Sequence, residues 1–290
     1  MTDTAETFES HRRYLIGLAY RMLGSVAEAE DVVQDAFLRW QGRSDEDVAA
    51  PRAFLSRIVT RLCLDRLKSA RAQREQYVGT WLPEPVVETG EGPADTAMSM
   101  AEDLSVALLV TLERLSPLER AAFLLHDVFE MEFDEVASVL QRSEAAVRQL
   151  ASRARDHVRT GRTRFEVSSD VSARITAAFH NATLHGDLDA FSRMLAENAV
   201  LYSDGGGKRS AAINPIYGRD KILRFFAGVT RKRALAGAFT VERATINGMP
   251  GLVLHGPDGV ETLALEIEGD HVVAVYIVRN PDKLRHLAAD

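Results

Sequence analysis

Apolar residues recur every three or four positions near the start of the chain. Phe8, Leu15, Leu18, Ala19 and Met22 share one helical face, and Gly24-Ser25 then interrupts the stripe. Ala29, Val32, Val33, Ala36, Phe37 and Trp40 predict a second helix over about Val26–Trp40, with Ser25 and Glu28 in the spacing of a capping box. The polar stretch Gln41–Ala50 predicts a loop. Pro51 suits the first turn of a third helix running to about Ala70, with Phe54, Leu55, Ile58, Val59, Leu62 and Leu67 apolar.

Residues 71–100 lose the period. Pro83, Pro85, Gly90, Gly92 and Pro93 predict a linker, and Trp81-Leu82-Pro83-Glu84-Pro85 puts an aromatic and two prolines in its middle. A Trp in a free tether wastes apolar surface, so this segment is expected to dock. Helical spacing returns over Leu104–Leu115. Ser116-Pro117-Leu118-Glu119 supplies an N-cap, a Pro at N1 and an acidic first turn. Phe133–Leu140, with Val136, Ala137 and Leu140 facing a core, meets a three-residue turn, Gln141-Arg142-Ser143. A helix from Glu144 to about Arg159 follows, and residues 161–169 form a second connection.

Beyond residue 170 the period changes. Val171–Leu184 and Leu188–Leu195 predict helices. Val200–Tyr202, Phe239–Ile246, Leu252–His255, Thr262–Ile267 and Val272–Val278 predict strands, the last four separated by turn signals at Asn247-Gly248, Pro257-Asp258-Gly259 and Gly269-Asp270. Helices first and hairpins afterwards indicate an α+β domain.

Charge divides the 290 residues further. The formal net charge of −7 hides a balanced 1–74 (12 basic, 11 acidic), an acidic 75–140 (2 and 14) and a basic 141–164 (7 and 2). Such asymmetry points to polyanion binding by parts of the chain. No apolar run approaches the ~20 residues of a membrane span, and the opening residues lack a secretory h-region. The lone Cys63 excludes an internal disulfide and a Cys-based zinc site, so a cytoplasmic protein with neither cofactor nor metal is expected.

The candidate chemistry lies first in 133–159. On the second helix Val147, Leu150 or Ala151, Ala154 and Val158 form the apolar face. Arg148, Gln149, Ser152, Arg153, Arg155 and Arg159 occupy the rest, with Ser143 in the turn. This is the pattern of a helix-turn-helix, whose second helix enters the major groove; Arg pairs with guanine or phosphate, and Gln with adenine. An αα-hairpin with a solvated basic face has the same pattern. A second basic block, 52–74, carries Arg57, Arg61 and Lys68 at i, i+4 and i+11 together with Arg52, Arg66, Arg71 and Arg74.

Residues 8–160 resemble a bacterial RNA polymerase sigma factor of the extracytoplasmic-function type. Four stretches carry the resemblance. Ala29–Arg39 is similar to the core-polymerase-binding helix. Pro51-Arg52-Ala53-Phe54-Leu55, with Arg57-Ile58-Val59 and Leu64-Asp65, is similar to the −10 reading helix. Leu115–Arg120 and the helix-turn-helix ending Arg153-Ala154-Arg155 are similar to the −35 reading domain. Leu150-Ala151 departs from the family pattern, which has a basic residue followed by Leu. The resemblance implies polymerase contacts from Asp31, Gln34, Asp35 and Arg39, and DNA contacts from Arg52, Arg57, Arg61, Lys68, Ser143, Arg148, Gln149, Ser152, Arg153 and Arg155. It places the base-capturing loop of promoter melting at Gln41–Ala50, which holds no aromatic residue.

Family members ordinarily end near residue 165. Segment 170–290 resembles the SnoaL-like, NTF2-like fold, a curved sheet wrapped by helices into a cone. Asp204-Gly205-Gly206-Gly207-Lys208 and Trp81–Pro85 together resemble the subgroup with a fused SnoaL-like domain, thought to act as a built-in regulator. The expected organisation is multidomain: an all-α region 2 domain (1–74), a linker (75–103), an all-α region 4 domain (104–162) and a C-terminal α+β cone (170–290).

Asp204–Lys208 lacks phosphate-loop spacing. It is expected to contact the proline-rich linker, an intramolecular regulatory contact; a tight hairpin is the plainer reading. His180, His185, Tyr202, Tyr217, His255 and Tyr276 are the candidates for acid-base work in a cone, but form no motif, so a pocket sensing an unknown small molecule is favoured over turnover. The tail Asn280–Asp290 is expected to dock Leu284 and Leu287 on the promoter-binding half. The expected partners are core RNA polymerase and promoter DNA, with no membrane. Two other functions compete: a conventional helix-turn-helix regulator with a ligand-sensing or enzymatic cone, and a signalling scaffold with merely solvated basic helices.

Overall fold

A computed structural model of the chain describes residues 3–41, 48, 50–74, 77–88, 105–159 and 168–287. These fall into two compact units, one drawn from 1–76 and 108–162, the other from 77–107 and 163–290.

The first unit is helical. Helix α1 (Asp3–Leu23) stops at Gly24, whose φ of 72° favours glycine, and the Ser25 hydroxyl accepts the Glu28 amide at 3.3 Å to open α2 (Val26–Gln41). Helix α3 (Pro51–Arg74) packs on both. Their stripes meet as the periodicity requires, with Phe8, Leu15, Leu18 and Met22 buried against Val32, Val33, Trp40, Leu55 and Val59. Most of the 41–50 loop lies outside the described residues.

The helix expected over 104–115 is shorter, α4 (Val106–Leu112). A reciprocal Ser116–Glu119 capping box starts α5 (Pro117–Phe123), which runs into a π turn, Leu124–Val128. Helix α6 (Phe133–Leu140) ends at Gln141, left-handed at φ 53°, and α7 (Glu144–Arg159) follows. One expectation needs correcting. Ala137 is only half-buried, and Val139 joins Val136 and Leu140 in the core. On so short a helix the buried arc includes i+3 as well as i+4.

The second unit is α+β. Helix α8 (Ser169–His185) is capped by Ser168 and stopped by Gly186, and α9 (Leu188–Met194) follows. Strand β2 (Leu195–Asp204) is longer than the three residues expected, because an irregularity between Leu195 and Val200 breaks the alternation that periodicity detects. Then come β3 (Ile216–Tyr217), α10 (Arg219–Ala236), β4 (Thr240–Ile246), β5 (Met249–Gly256), β6 (Gly259–Glu268) and β7 (His271–Val278). Asn247 and Gly248, at φ 50° and 71°, make the tight β4–β5 hairpin. Residues 87–88 of the expected linker form β1 (Val87–Glu88) on the β4 edge, giving the order β1-β4-β5-β6-β7-β2-β3. The β2–β7 pair is parallel and the rest are antiparallel.

Sheet and helices enclose one apolar cluster of Phe179, Phe191, Ile222, Phe226, Leu201, Leu252, Leu263 and Val275, among others. This is the α+β arrangement of helices on a mostly antiparallel sheet that the sequence predicts. Among the described residues no helix is long and apolar enough to cross a membrane.

Candidate nucleic-acid interface and linker clasp

Helices α6 and α7 form the helix-turn-helix. Val147, Leu150, Ala151, Ala154 and Val158 are buried, so the geometry of the helix leaves Arg148, Gln149, Ser152 and Arg153 exposed on the other side. The Ser143 hydroxyl caps α7 by accepting the Ala146 amide at 3.3 Å. Each arginine on this face rests on a carboxylate of its own unit. Arg148 pairs with Glu144 at 2.5 Å and lies over the Phe133 ring. Arg153 pairs with Glu119 at 3.0 Å, and Arg155 with Asp127 at 2.6 Å. Burial alone raises the Glu119 pKa, but hydrogen bonds from Ser116 and the charge of Arg153 outweigh it and hold that carboxyl below the usual range. Such partly solvated pairs are worth about 0–1 kcal/mol each.

The four cations singled out on α3 divide. Arg52 lies over the Tyr14 ring and donates to the Phe129 carbonyl at 3.3 Å, and Arg57 donates to the Ser138 hydroxyl of α6. Arg52 is nonetheless exposed, and Arg57 is half-buried. Arg61 and Lys68 are exposed, and Lys68 pairs with Asp65 one turn away. They border a groove of about 610 Å³ whose far side carries Arg142 and Gln141 of the helix-turn-helix. Beneath, the buried Arg120 ties the unit together, donating to the carbonyls of Met22 at 2.6 Å and Leu112 at 2.9 Å and pairing with Glu113.

On α2, Asp31, Gln34, Asp35 and Arg39 are exposed in a row. Leu38 lies among them, 59% exposed, and was not among the residues singled out. An exposed Leu between charged neighbours was the available signal. Arg66 of α3 reaches Asp31 and Asp35 at 3.6 Å each.

The second site belongs to the C-terminal unit. Asp204, at the end of β2, is wholly buried. Its carboxylate accepts the Tyr77 hydroxyl at 2.5 Å, the Leu82 amide at 2.9 Å and the Gly206 amide at 3.0 Å, and pairs with Lys283 at 2.7 Å. Burial, then the bond to Asp204, pushes the Tyr77 phenol up, keeping it a donor. The Lys283 ammonium also donates to the Leu82 carbonyl and lies 4.1 Å from the centroid of the Trp81 ring. Leu82, Pro83, Glu84 and Pro85 are buried.

The glycines serve close approach. A Cβ at Gly205 would lie 2.1 Å from the Arg209 carbonyl oxygen, and one at Gly206 2.3 Å from the Asn280 amide. At Gly207 the neighbour is Val78 of the linker, at 3.3 Å. Among the described residues Lys208 pairs with Asp282, at 2.5 Å, and with no linker residue. Further along, Asn247 exchanges two hydrogen bonds with Val86, and His286 donates its Nε2–H to the Pro85 carbonyl oxygen at 3.0 Å.

Tyr77, Asn247, Asn280, Lys283 and His286 were missed, because single polar residues at no fixed spacing carry no pattern. The tail was expected on the promoter-binding half. Its described hydrogen bonds run to Tyr77, Leu82 and Pro85 of the linker and to Asp204 and Lys208, and Leu284 is buried. A residue as buried as Asp204 cannot be replaced without structural consequence.

The candidates for acid-base chemistry are scattered. Tyr202 and Tyr276 stack with centroids 5.3 Å apart, and Tyr276 donates to Glu266 at 2.7 Å. Tyr217 is exposed on β3, while His180, His185 and His255 sit on α8 and β5 without a shared partner. Nothing here assembles a nucleophile, a base and a positioned substrate site.

Comparison with known proteins bears on both sites. The Sigma-70 region 2 family matches residues 7–73, and Sigma-70 region 4 matches 105–158. The chain is 41% identical to the ECF RNA polymerase sigma factor SigJ of Mycobacterium tuberculosis, over 95% of this chain and 91% of that protein. It is 31% identical to the sigma factor SigI of the same species, over 98% and 95%. The crystal structure of the Mycobacterium tuberculosis SigJ superposes with a TM-score of 0.79 at 38% identity, covering 97% of this chain and 98% of that one.

Proposed function

Because the chain belongs to the extracytoplasmic-function RNA polymerase sigma factors, we propose that its two charged helix faces are used for promoter recognition and polymerase docking. The protein is a transcription initiation factor and not an enzyme; it binds core RNA polymerase and directs it to promoter DNA. We assign residues 1–74 to polymerase and −10 binding, 104–162 to −35 binding, 75–103 to the linker between them and 170–290 to regulation. We place the protein in the cytoplasm.

One observation carries this reading: a single unit holds a helix-turn-helix with an exposed basic face, a second basic helix, α3, and the exposed row on α2. Asp31, Gln34, Asp35 and Arg39 serve the polymerase. Arg148, Gln149, Ser152, Arg153 and Arg155 approach the −35 element. Arg61 and Lys68 stand ready for the −10 side, whereas Arg52 and Arg57 first exchange Phe129 and Ser138 for phosphates. A conventional regulator has no use for the α2 row, and relatives that match along nearly the whole chain are themselves sigma factors.

Regulation runs through the clasp. By holding residues 77–88 in its own sheet and on Asp204, the C-terminal unit sets how much linker is left to span the two promoter-binding segments. The test is run-off transcription with purified core polymerase, comparing the full chain with Asp35→Ala/Arg39→Ala and with Asp204→Ala. Specific initiation that the α2 double variant loses supports the reading, and the Asp204→Ala rate gives the sign of regulation. No initiation from a selected promoter library, together with no binding to core polymerase, overturns it.

A further inference from the structure

The C-terminal unit holds a concentration of positive charge that neither promoter recognition nor the clasp uses. Glu261, 6% exposed, carries three guanidiniums: Arg209 at 3.2 Å, Arg233 at 2.6 Å and Arg279 at 2.8 Å. One carboxylate cannot neutralise three cations. The excess lies beside a groove of about 530 Å³ between α10 and the 210–212 loop, within the range of small-molecule sites. Arg224, Lys232, Arg233 and Arg279 line it against only Asp258 and Glu261. Arg224 and Lys232 are exposed, and neither has an ion pair among the described residues.

The groove also has apolar walls, Phe225 and Val229 on α10 and Ala211 and Ala212 opposite. Its α10 wall has an unusual feature. Arg224, Gly228 and Lys232 stand at i, i+4 and i+8 of α10, and a Cβ added at Gly228 would meet nothing within 4 Å. Glycine inside a helix is destabilising relative to alanine, and no neighbouring atom demands it here. It leaves space in the groove instead.

We propose that this groove binds a small organic oxyanion, an apolar body bearing a carboxylate or phosphate. Guanidiniums in a fork match either group, and the recessed Arg233 and Arg279 receive it while Phe225 and Val229 cover the apolar part. The site also has a route to the clasp. Arg279 donates its backbone amide to the Asp204 carbonyl at 2.7 Å, and its neighbour Asn280 donates to the Tyr77 hydroxyl at 2.9 Å.

The proposal is tested by calorimetric titration of the full chain, without polymerase, so the outcome does not depend on sigma activity. The probes are 1-naphthyl phosphate, 1-naphthoate, inorganic pyrophosphate and the neutral 1-naphthol. At least one naphthyl anion is expected to bind about tenfold or more tightly than naphthol, and the preferred anion separates a phosphate from a carboxylate ligand. Pyrophosphate, which lacks the apolar body, is expected to bind more weakly than that anion. Arg224→Ala/Lys232→Ala is expected to lose about tenfold of the affinity. Gly228→Leu, which adds bulk to the α10 wall but keeps every charge, is expected to abolish binding, with circular dichroism verifying the fold of both variants. Equal affinity for anion and naphthol, no binding of any probe, or binding untouched by either variant would overturn the proposal.

Discussion

The two units treat charge in opposite ways. On α7 and α3 the described arginines and lysines are mostly exposed, and several rest on solvated carboxylates of their own surface, as Arg148 rests on Glu144 and Lys68 on Asp65. In the clasp, Asp204 is wholly buried and takes four donors at once, one of them the ammonium of Lys283. The first arrangement is loosely held and exchangeable, as a surface that trades internal partners for phosphate must be. The second is strong only while complete, because a buried charge without its partner is destabilising. Function on the first unit therefore tolerates loss of one contact, whereas the clasp behaves as a unit.

The largest effect is expected at the clasp. Asp204→Ala leaves Lys283 without its carboxylate and the Leu82 amide without its acceptor. It is expected to lower the stability of the C-terminal unit by about 3 kcal/mol, the scale for a broken buried pair. The Leu82 and Val86 amides are expected to lose hydrogen-exchange protection in the full chain. Leu82→Ala, which leaves the ion pair intact but empties a fully buried position, is expected to cost about 2–4 kcal/mol and to release the same segment. If both variants keep wild-type protection at Val86, the clasp does not hold the linker and the contrast between the units fails.

The promoter face is expected to respond far less in stability and far more in DNA binding. Arg153→Ala and Lys68→Ala each remove a cation whose partner is a partly solvated acid, so unfolding is expected to shift by less than about 1 kcal/mol. In complex with core polymerase, each variant is expected to weaken promoter binding and reduce the salt dependence by about one unit in slope. A slope unchanged in both, with affinity also unchanged, would mean that these side chains meet no phosphate.

Legibility in the sequence follows the same contrast. Helices α2, α3, α6 and α7 announce themselves because burial repeats along one face, as in Val147, Ala151, Ala154 and Val158. The β4–β7 hairpins are marked by Asn247-Gly248 and Gly269. Helix α10 escaped because its buried positions, Ile222 and Phe226, are few and lie in a strongly basic stretch. Strand β1 escaped because two residues become a strand only by meeting the β4 edge, more than 150 positions away in the chain. Odd composition flagged Trp81–Pro85 and Asp204–Lys208, yet Tyr77 and Asn280, bonded across 203 positions, left no trace. Spacing reveals surfaces built on one element, and a buried polar cluster assembled from distant segments has no spacing to reveal.

The smallest effect concerns pH, and here the two units should move in opposite directions. In the first, Glu119 is held below the usual carboxyl range, so the folded state binds fewer protons than the unfolded one. Its contribution is complete above the ordinary glutamate pKa and is lost as pH falls through the folded value. In the second, burial pushes Glu266 up, against the pull of the Tyr276 hydroxyl. The folded state then keeps its proton longer, and stability falls as pH rises from the ordinary pKa through the folded one. The two tryptophans lie one in each unit, so Trp81→Phe isolates the signal of Trp40 and Trp40→Phe that of Trp81. In the Trp81→Phe chain, Glu119→Gln is expected to lower Tm at about pH 7 and to match its parent at about pH 3. In the Trp40→Phe chain, Glu266→Gln is expected to raise Tm at about pH 7 and to lose that gain at about pH 3. The same sign in both units would mean that Glu266, despite its burial, is stabilised as an anion by its surroundings, and that the charge-tolerant and charge-averse halves are not as different as their geometry indicates.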